Sequence, residues 1–280
     1  MTPEKRPSAE ILKTKPEKTD ALVRKILASH KYQALALPEE TVLDLIYRNT
    51  TPGVKERELE KIVRQKLHNI IAPYLEELDY RSAMTDLSRI SMGDEQSLKE
   101  YCAKILAAHA STRERIPIME DFYTKIFEHT GIPGSILDLA CGLNPFALPW
   151  MALPAETKYH AYDLHKPRID LINAFFQVVG RPPLAEKRDI LVKPPELRAD
   201  VAFFFKEAHR FEQRQHGCNR TFWQALKVKT IVVSLPSSNL TGSHSMLEGQ
   251  RILVEQAVSG LDWKVTEILV GNEITFCIDK

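Results

Sequence analysis

A few acidic residues and one glycine stand at the ends of apolar runs, where they could grip a nucleoside-bearing ligand. Residues 136–145 read ILDLACGLNP, an apolar run carrying Asp138 that enters the turn Ala140-Cys141-Gly142. In a doubly wound sheet, ligands bind beyond the carboxyl ends of the strands, where the first strand-to-helix turn offers backbone N–H groups. Gly142 lets the chain approach a ligand where a Cβ would collide, and Asp138 is placed to orient the loop or a ligand's amino group. Asp163 closes the next run, KYHAYDLH, where a carboxylate can accept both hydroxyls of a ribose. Asp189, in EKRDIL, is placed to meet an adenine amino group, with Ile190 against the ring; an aspartate there serves equally as a helix N-cap. A dinucleotide site would call for the three glycines of GxGxxG, and this turn has Gly142 alone, so the set favours S-adenosylmethionine over NAD.

These residues need a sheet to hold them. Beyond Gly131, short apolar runs rich in Val, Ile and Phe alternate with helical stretches, the pattern of a parallel sheet covered by helices. Strands are predicted over 135–139, 158–162, 184–188, 201–205, 230–234, 265–270 and 273–278. The last two are split only by Gly271 and Asn272, which implies a final hairpin with one antiparallel strand inserted. That is the methyltransferase variant of the doubly wound fold. From about Asp20 to His129 the apolar residues instead recur at helical spacing, predicting helices over 21–28, 38–49, 54–72, 74–90, 96–107 and 116–130. The expected organisation is therefore a flexible tail (1–19), an all-helical N-terminal domain (20–108) and an α/β, Rossmann-like class I domain with a seven-stranded sheet (109–280).

Composition narrows the function classes. At 280 residues and 44% hydrophobic, the chain can build a sizeable core. Lys+Arg and Asp+Glu number 38 and 37, so no bulk positive field draws in nucleic acid, and any RNA site must come from local clustering. Such a cluster exists: Arg57, Lys61, Arg64 and His68 recur at helical spacing on one face, opposite Leu59, Ile62, Val63, Leu67 and Ile70. This stripe could track phosphates, although Glu56, Glu58 and Glu60 interleave with it, as on an ordinary solvated face. The four cysteines form no CxxC pair, which argues against a metal site and for free thiols in a reducing compartment. No apolar stretch follows the N-terminal charges and none approaches a membrane span, so we expect a cytoplasmic protein that acts as a monomer without a membrane partner.

Longer strings add a resemblance. HASTRERIP at His109 to Pro117, ILDLACGLNPFAL at Ile136 to Leu148, YDLH at Tyr162 to His165, FFK at Phe204 to Lys206 and LHNIIAPY at Leu67 to Tyr74 together resemble the aminoglycoside-resistance 16S rRNA (guanine-N7) methyltransferases of the Arm/Rmt type. The resemblance implies an enzyme that methylates N7 of a guanine in the decoding site of 16S rRNA within the 30S subunit, using S-adenosyl-L-methionine. It also implies cofactor contacts from His109, Ala110, Ser111, Arg115, Ala140, Asp163, Asp189, Ile190 and Phe205. Arg115 offers a planar fork for the methionine carboxylate; read from the residues alone, Arg113 and Arg115 better fit the solvated start of a helix capped by Ser111 or Thr112, and it is the resemblance that favours the fork for Arg115. Lys206, at the end of the fourth strand, is the residue expected to position the target base or its phosphate.

The chain departs from that pattern in one loop. Where the family carries a basic segment resembling FPTRSLGGRGKGM, residues 235–246 read LPSSNLTGSHSM: Pro236, Ser237, Leu240, Gly242 and Met246 keep the frame, but Ser238, Ser243 and Ser245 or their neighbours stand where basic residues would face the target nucleotide. Glu207-Ala208-His209 likewise replaces a more apolar stretch. Two other readings compete with rRNA methylation: a cofactor-binding relative that serves as an RNA- or protein-binding module, and a methyltransferase for another substrate.

Overall fold

A computed structural model describes residues 16–72, 78–91, 93–238 and 245–280. Its backbone divides into two compact units, one formed by the described residues before Leu78 together with Leu164–Pro167, the other by Leu78–Asp163 with Arg168–Lys280. Helices expected in the N-terminal domain therefore divide between the units, with the later ones packed beside the sheet.

The smaller unit contains α1 (Pro16–Leu27), the short α2 (His30–Gln33), α3 (Glu39–Asn49) and α4 (Glu56–Ile71). Leu22, Val23 and Ile26 of α1, Val42, Leu45 and Ile46 of α3, and Val63, Leu67 and Ile71 of α4 form its buried cluster, each set spaced to make one apolar stripe. Residues 16–19, expected in the tail, instead form the first turn of α1: Pro16 stands where an N–H would have no partner, and Glu17 meets the positive end of the helix. The rest of the expected tail lies outside the described residues.

The larger unit is built on one sheet of β1 (Ser135–Leu139), β2 (Lys158–Asp163), β3 (Ala185–Lys187), β4 (Arg198–Phe205), β5 (Lys227–Pro236), β6 (Lys264–Val270) and β7 (Glu273–Asp279). The strand order is β3-β2-β1-β4-β5-β7-β6. β7 runs antiparallel between β5 and β6, as the closing hairpin predicted, and Gly271 turns that hairpin at φ +55°. β4 and β5 begin earlier than their apolar runs, because Arg198 and Lys227 pair through the backbone while their side chains stay exposed.

Both sheet faces are covered, and side-chain alternation divides the core. Ile136, Phe203 and Val232 face one cluster with α5 (Tyr80–Leu87), α6 (Glu95–Ala107), α8 (Met119–Thr130) and α10 (Lys166–Val178). Leu137, Phe204 and Val233 face the other with α11 (Ala208–Arg214), α12 (Cys218–Ala225) and α13 (Leu247–Val258). The helix expected over 74–90 starts at Tyr80, where Asp79 caps it by accepting from the Arg81 and Ser82 amides; residues 73–77 lie outside the described set. The one expected over 116–130 splits at its Pro117 into a 3-10 turn, Ile116–Ile118, and α8. The short α7 (Ala110–Arg113) and α9 (Leu148–Met151) complete the set. No helix among the described residues is long and apolar enough to cross a membrane.

Candidate active site

The carboxyl ends of β1, β2, β3 and β4 carry Asp138, Asp163, Asp189 and Phe205 in or just after their last residues, so the sheet gathers the residues singled out from sequence. After β1 the chain turns through two left-handed positions, Ala140 at φ +51° and Gly142 at φ +52°. The Cys141 amide donates to the Tyr162 carbonyl at 2.9 Å, and the Gly142 amide to Asp163 Oδ2 at 3.0 Å. A Cβ placed on Gly142 would meet nothing within 4 Å, so the space beside the loop is open.

Under this loop lies a buried polar chain. Asp138 Oδ2 accepts from the Tyr159 hydroxyl at 2.7 Å and from Asn144 Nδ2 at 3.0 Å. Burial pushes the Asp138 carboxyl up to about 7 despite those two donors. Asn144 Oδ1 in turn accepts from Arg115 Nη1 at 2.9 Å and from the Tyr123 hydroxyl at 2.6 Å.

Arg115 is no solvated helix start. Its guanidinium is 2% exposed and lies between the rings of Phe122 and Phe205, at 4.4 and 4.6 Å from their centroids. The fork expected to receive a methionine carboxylate already grips one from the chain itself: Nε and Nη2 donate to Glu273 at 3.1 and 2.5 Å. The hairpin entering β7 delivers Glu273 to the depth at which a buried arginine needs its counter-charge. Burial works against both charges, yet mutual attraction leaves the Arg115 pKa raised and that of Glu273 lowered, with Lys206 adding to the latter. Ser111 and Thr112 do not cap α7 either: Ser111 Oγ lies 2.5 Å from His109 Nδ1, and the Thr112 hydroxyl donates to the Leu106 and His109 carbonyls.

The other charged positions also have internal partners. Asp163 receives Arg168 Nη1 at 3.1 and 3.0 Å, and Arg168 Nε reaches the Tyr80 hydroxyl. Both oxygens of Asp189 are held by Arg214, at 2.9 and 2.6 Å, and Oδ1 accepts from the Leu191 amide, a turn contact akin to the capping alternative; Ile190 is buried beside it. Phe205 stacks on Phe203 with centroids 4.8 Å apart. Lys206 sits at φ +59°, its Nζ donating to Glu114 at 2.8 Å and lying 3.8 Å from Glu273.

Glu114, Tyr123, Asn144, Tyr159, Arg168, Arg214 and Glu273 carry no signal in the sequence that singles them out as site residues. Asn144 stands inside a motif string, but Glu273 at a strand start looks like any solvated charge. Only its pairing across 158 residues reveals its place.

Comparison with known proteins converges on the same fold. A family model described as ribosomal RNA methyltransferase (FmrO) matches residues 28–277, nearly the whole chain. The chain belongs to this ribosomal RNA methyltransferase family. Alongside the FmrO match, it is 29% identical to the 16S rRNA (guanine(1405)-N(7))-methyltransferase of Micromonospora rosea, over 94% of this chain and 97% of that one. The protein of the same name from Proteus mirabilis is 28% identical over 96% of this chain and 100% of its own. Among solved structures, the 16S rRNA methylase RmtB superposes with a TM-score of 0.73 at 25% identity, covering 94% of this chain and 98% of its own. RmtF, in complex with S-adenosyl-L-homocysteine, reaches 0.75 with the same identity and coverage.

On the smaller unit, Arg57, Lys61, Arg64 and His68 do share one face, lining an open depression on α4 with Glu60 and Gln65. Glu60 holds Lys25 and Arg64 at 2.6 and 3.0 Å, while Arg57 and Lys61 are exposed. In the divergent loop, the Ser237 amide donates to the Asn272 carbonyl, and Ser238 bridges Ser245; residues 239–244, with Leu240, Gly242 and Ser243, lie outside the described set.

Proposed function

We propose that this chain transfers a methyl group from S-adenosyl-L-methionine to N7 of the guanine in 16S rRNA that corresponds to the one its relatives are named for. The observation that carries this reading is the match to the ribosomal RNA methyltransferase model over residues 28–277. The cofactor supplies an electrophilic methyl on sulfonium. Guanine N7 has a free lone pair and no proton, so the chain needs no general base, and its residues must align the nucleophile and exclude water.

In this reading Asp163 meets the ribose hydroxyls, with Arg168 fixing its carboxylate. Asp189 and Ile190 border the adenine, and His109, Ala110, Ser111, Ala140, Gly142 and Phe205 enclose the remainder. Arg115 contributes through the charge of its buried pair with Glu273. Lys206, donating to Glu114, is the cation assigned to the target base or its phosphate. The guanine must leave its stack to arrive there, at a cost of a few kcal/mol. Arg57, Lys61 and Arg64 follow the rRNA backbone on the helical unit, and Ser237 and Ser238 border the target nucleotide. The chain acts as a monomer on assembled 30S subunits in the cytoplasm, and its product confers aminoglycoside resistance.

Purified 30S subunits incubated with the chain and methyl-labelled cofactor test the reading. Label confined to N7 of one decoding-site guanine is expected; label elsewhere, or none despite cofactor binding, would sink it.

A further inference from the structure

The geometry points to Asn144 as a positioning residue: its amide fixes the distance between the glycine loop after β1 and the buried Arg115–Glu273 pair, and so tunes cofactor affinity. The inference rests on the cofactor reading above and deepens it.

Asn144 is 2% exposed and uses the full capacity of its amide. Nδ2 donates to Asp138 Oδ2 at 3.0 Å and to the Tyr159 hydroxyl at 3.3 Å. Oδ1 accepts from Arg115 Nη1 at 2.9 Å and from the Tyr123 hydroxyl at 2.6 Å. The four partners come from β1, β2, α8 and the turn before the 3-10 segment, so one side chain is hydrogen-bonded to all four. Its polarity matters: the donor side faces an acid and the acceptor side faces a cation. Asn144 touches no reacting atom in this scheme and acts through Asp138 and Arg115.

Asn144→Asp keeps the shape and the acceptor but turns the donor side into a carboxylate facing Asp138. Two such oxygens at hydrogen-bond distance must share a proton. The charged and titratable groups around the position are Asp138, Tyr159, Tyr123, Arg115, Cys141, Asp163 and Glu273, and of these Asp138 has its carboxyl pushed up to about 7 by burial. Once protonated, the carboxyl introduced in N144D can donate to Asp138 as the amide did.

The test titrates S-adenosyl-L-homocysteine into the full chain and its variants by calorimetry at pH 8 and pH 6, with thermal melting alongside. For N144D, affinity about tenfold below that of the unaltered chain is expected at pH 8, narrowing to about threefold at pH 6, which corresponds to one net hydrogen bond removed and regained. In the methylation assay the cofactor KM should rise with little change in kcat. Affinity equal to the unaltered chain at both pH values would overturn the inference, as would an equal loss at both. Should N144D fail to fold, Tyr123→Phe removes one donor without adding charge; a loss of about threefold is expected, and unchanged affinity overturns the inference. If the unaltered chain binds no S-adenosyl-L-homocysteine, the cofactor reading itself has failed and this inference falls with it.

Discussion

Asp138 is buried at the heart of the loop with a pKa raised to about 7, against an ordinary value of 3.8. A carboxyl whose folded pKa is raised binds its proton more tightly in the native state, so the native state gains from protonation at low pH. That gain is complete below the unfolded pKa and lost as pH rises from about 4 to about 7. Asp138→Asn should remove this slope. Denaturant midpoints measured between pH 4 and 8 should show the unaltered chain losing stability relative to D138N across that window; parallel curves would refute the assignment. Arg115 gives a second test at the same scale. From sequence, Arg115→Ala should cost cofactor binding and leave the fold intact, but in the structure it strands Glu273 at 0% exposure without its closest cation. We therefore expect a loss of about 3–5 kcal/mol in unfolding free energy, partly restored in R115A/E273Q, where the stranded group is neutral. Asp138, Gly142 and Asp163 were legible in the sequence because strand ends announce themselves by composition. Glu273, Arg168 and Arg214 were not, because a buried ion pair leaves no local periodicity.

The elements impose their own costs. β4 ends by forcing Lys206 into the left-handed region, with its amide donating to the Ser234 carbonyl at 2.7 Å. For an L-residue that conformation costs about 1–2 kcal/mol, while glycine enters it freely. Lys206→Gly should unfold at a higher denaturant concentration than Lys206→Ala, by about 1 kcal/mol, because both lose the same ion pairs and differ in backbone strain. Equal midpoints would mean the strain is absorbed elsewhere. Neither variant should support methyl transfer at the native rate. Strand number and the inserted hairpin were readable from alternating runs and the Gly271-Asn272 turn. The true starts of β4 and β5 were not, since there the backbone ladder continues past the last buried side chain.

At the scale of the whole molecule, charge is balanced in sum, and any attraction to RNA is local. Replacing Arg57, Lys61 and Arg64 together by Ala should weaken 30S binding and flatten its dependence on salt, by about 0.7–0.9 in the log–log slope for each phosphate no longer neutralised. Affinity for S-adenosyl-L-homocysteine should not change. An unaltered salt slope would assign the stripe to an ordinary solvated face. The expected division at residue 108 followed the resemblance, which gives His109 onward to the cofactor site, and not the change of pattern, which comes only beyond Gly131. Packing groups α5 and α6 with the sheet, because their apolar stripes supply one wall of its core.

The sequence by itself determined the fold class, the order of elements, the glycine loop and the carboxylates at the strand ends, since these follow from local periodicity and turn chemistry. Tertiary structure alone decided which charges meet: that Glu273 occupies the Arg115 fork, that Arg168 and Arg214 hold the two site carboxylates, and that Asn144 joins acid to cation. Charges removed from water must be matched by partners at hydrogen-bond distance, and which partners arrive is set by sheet order and register, not by neighbours in the chain.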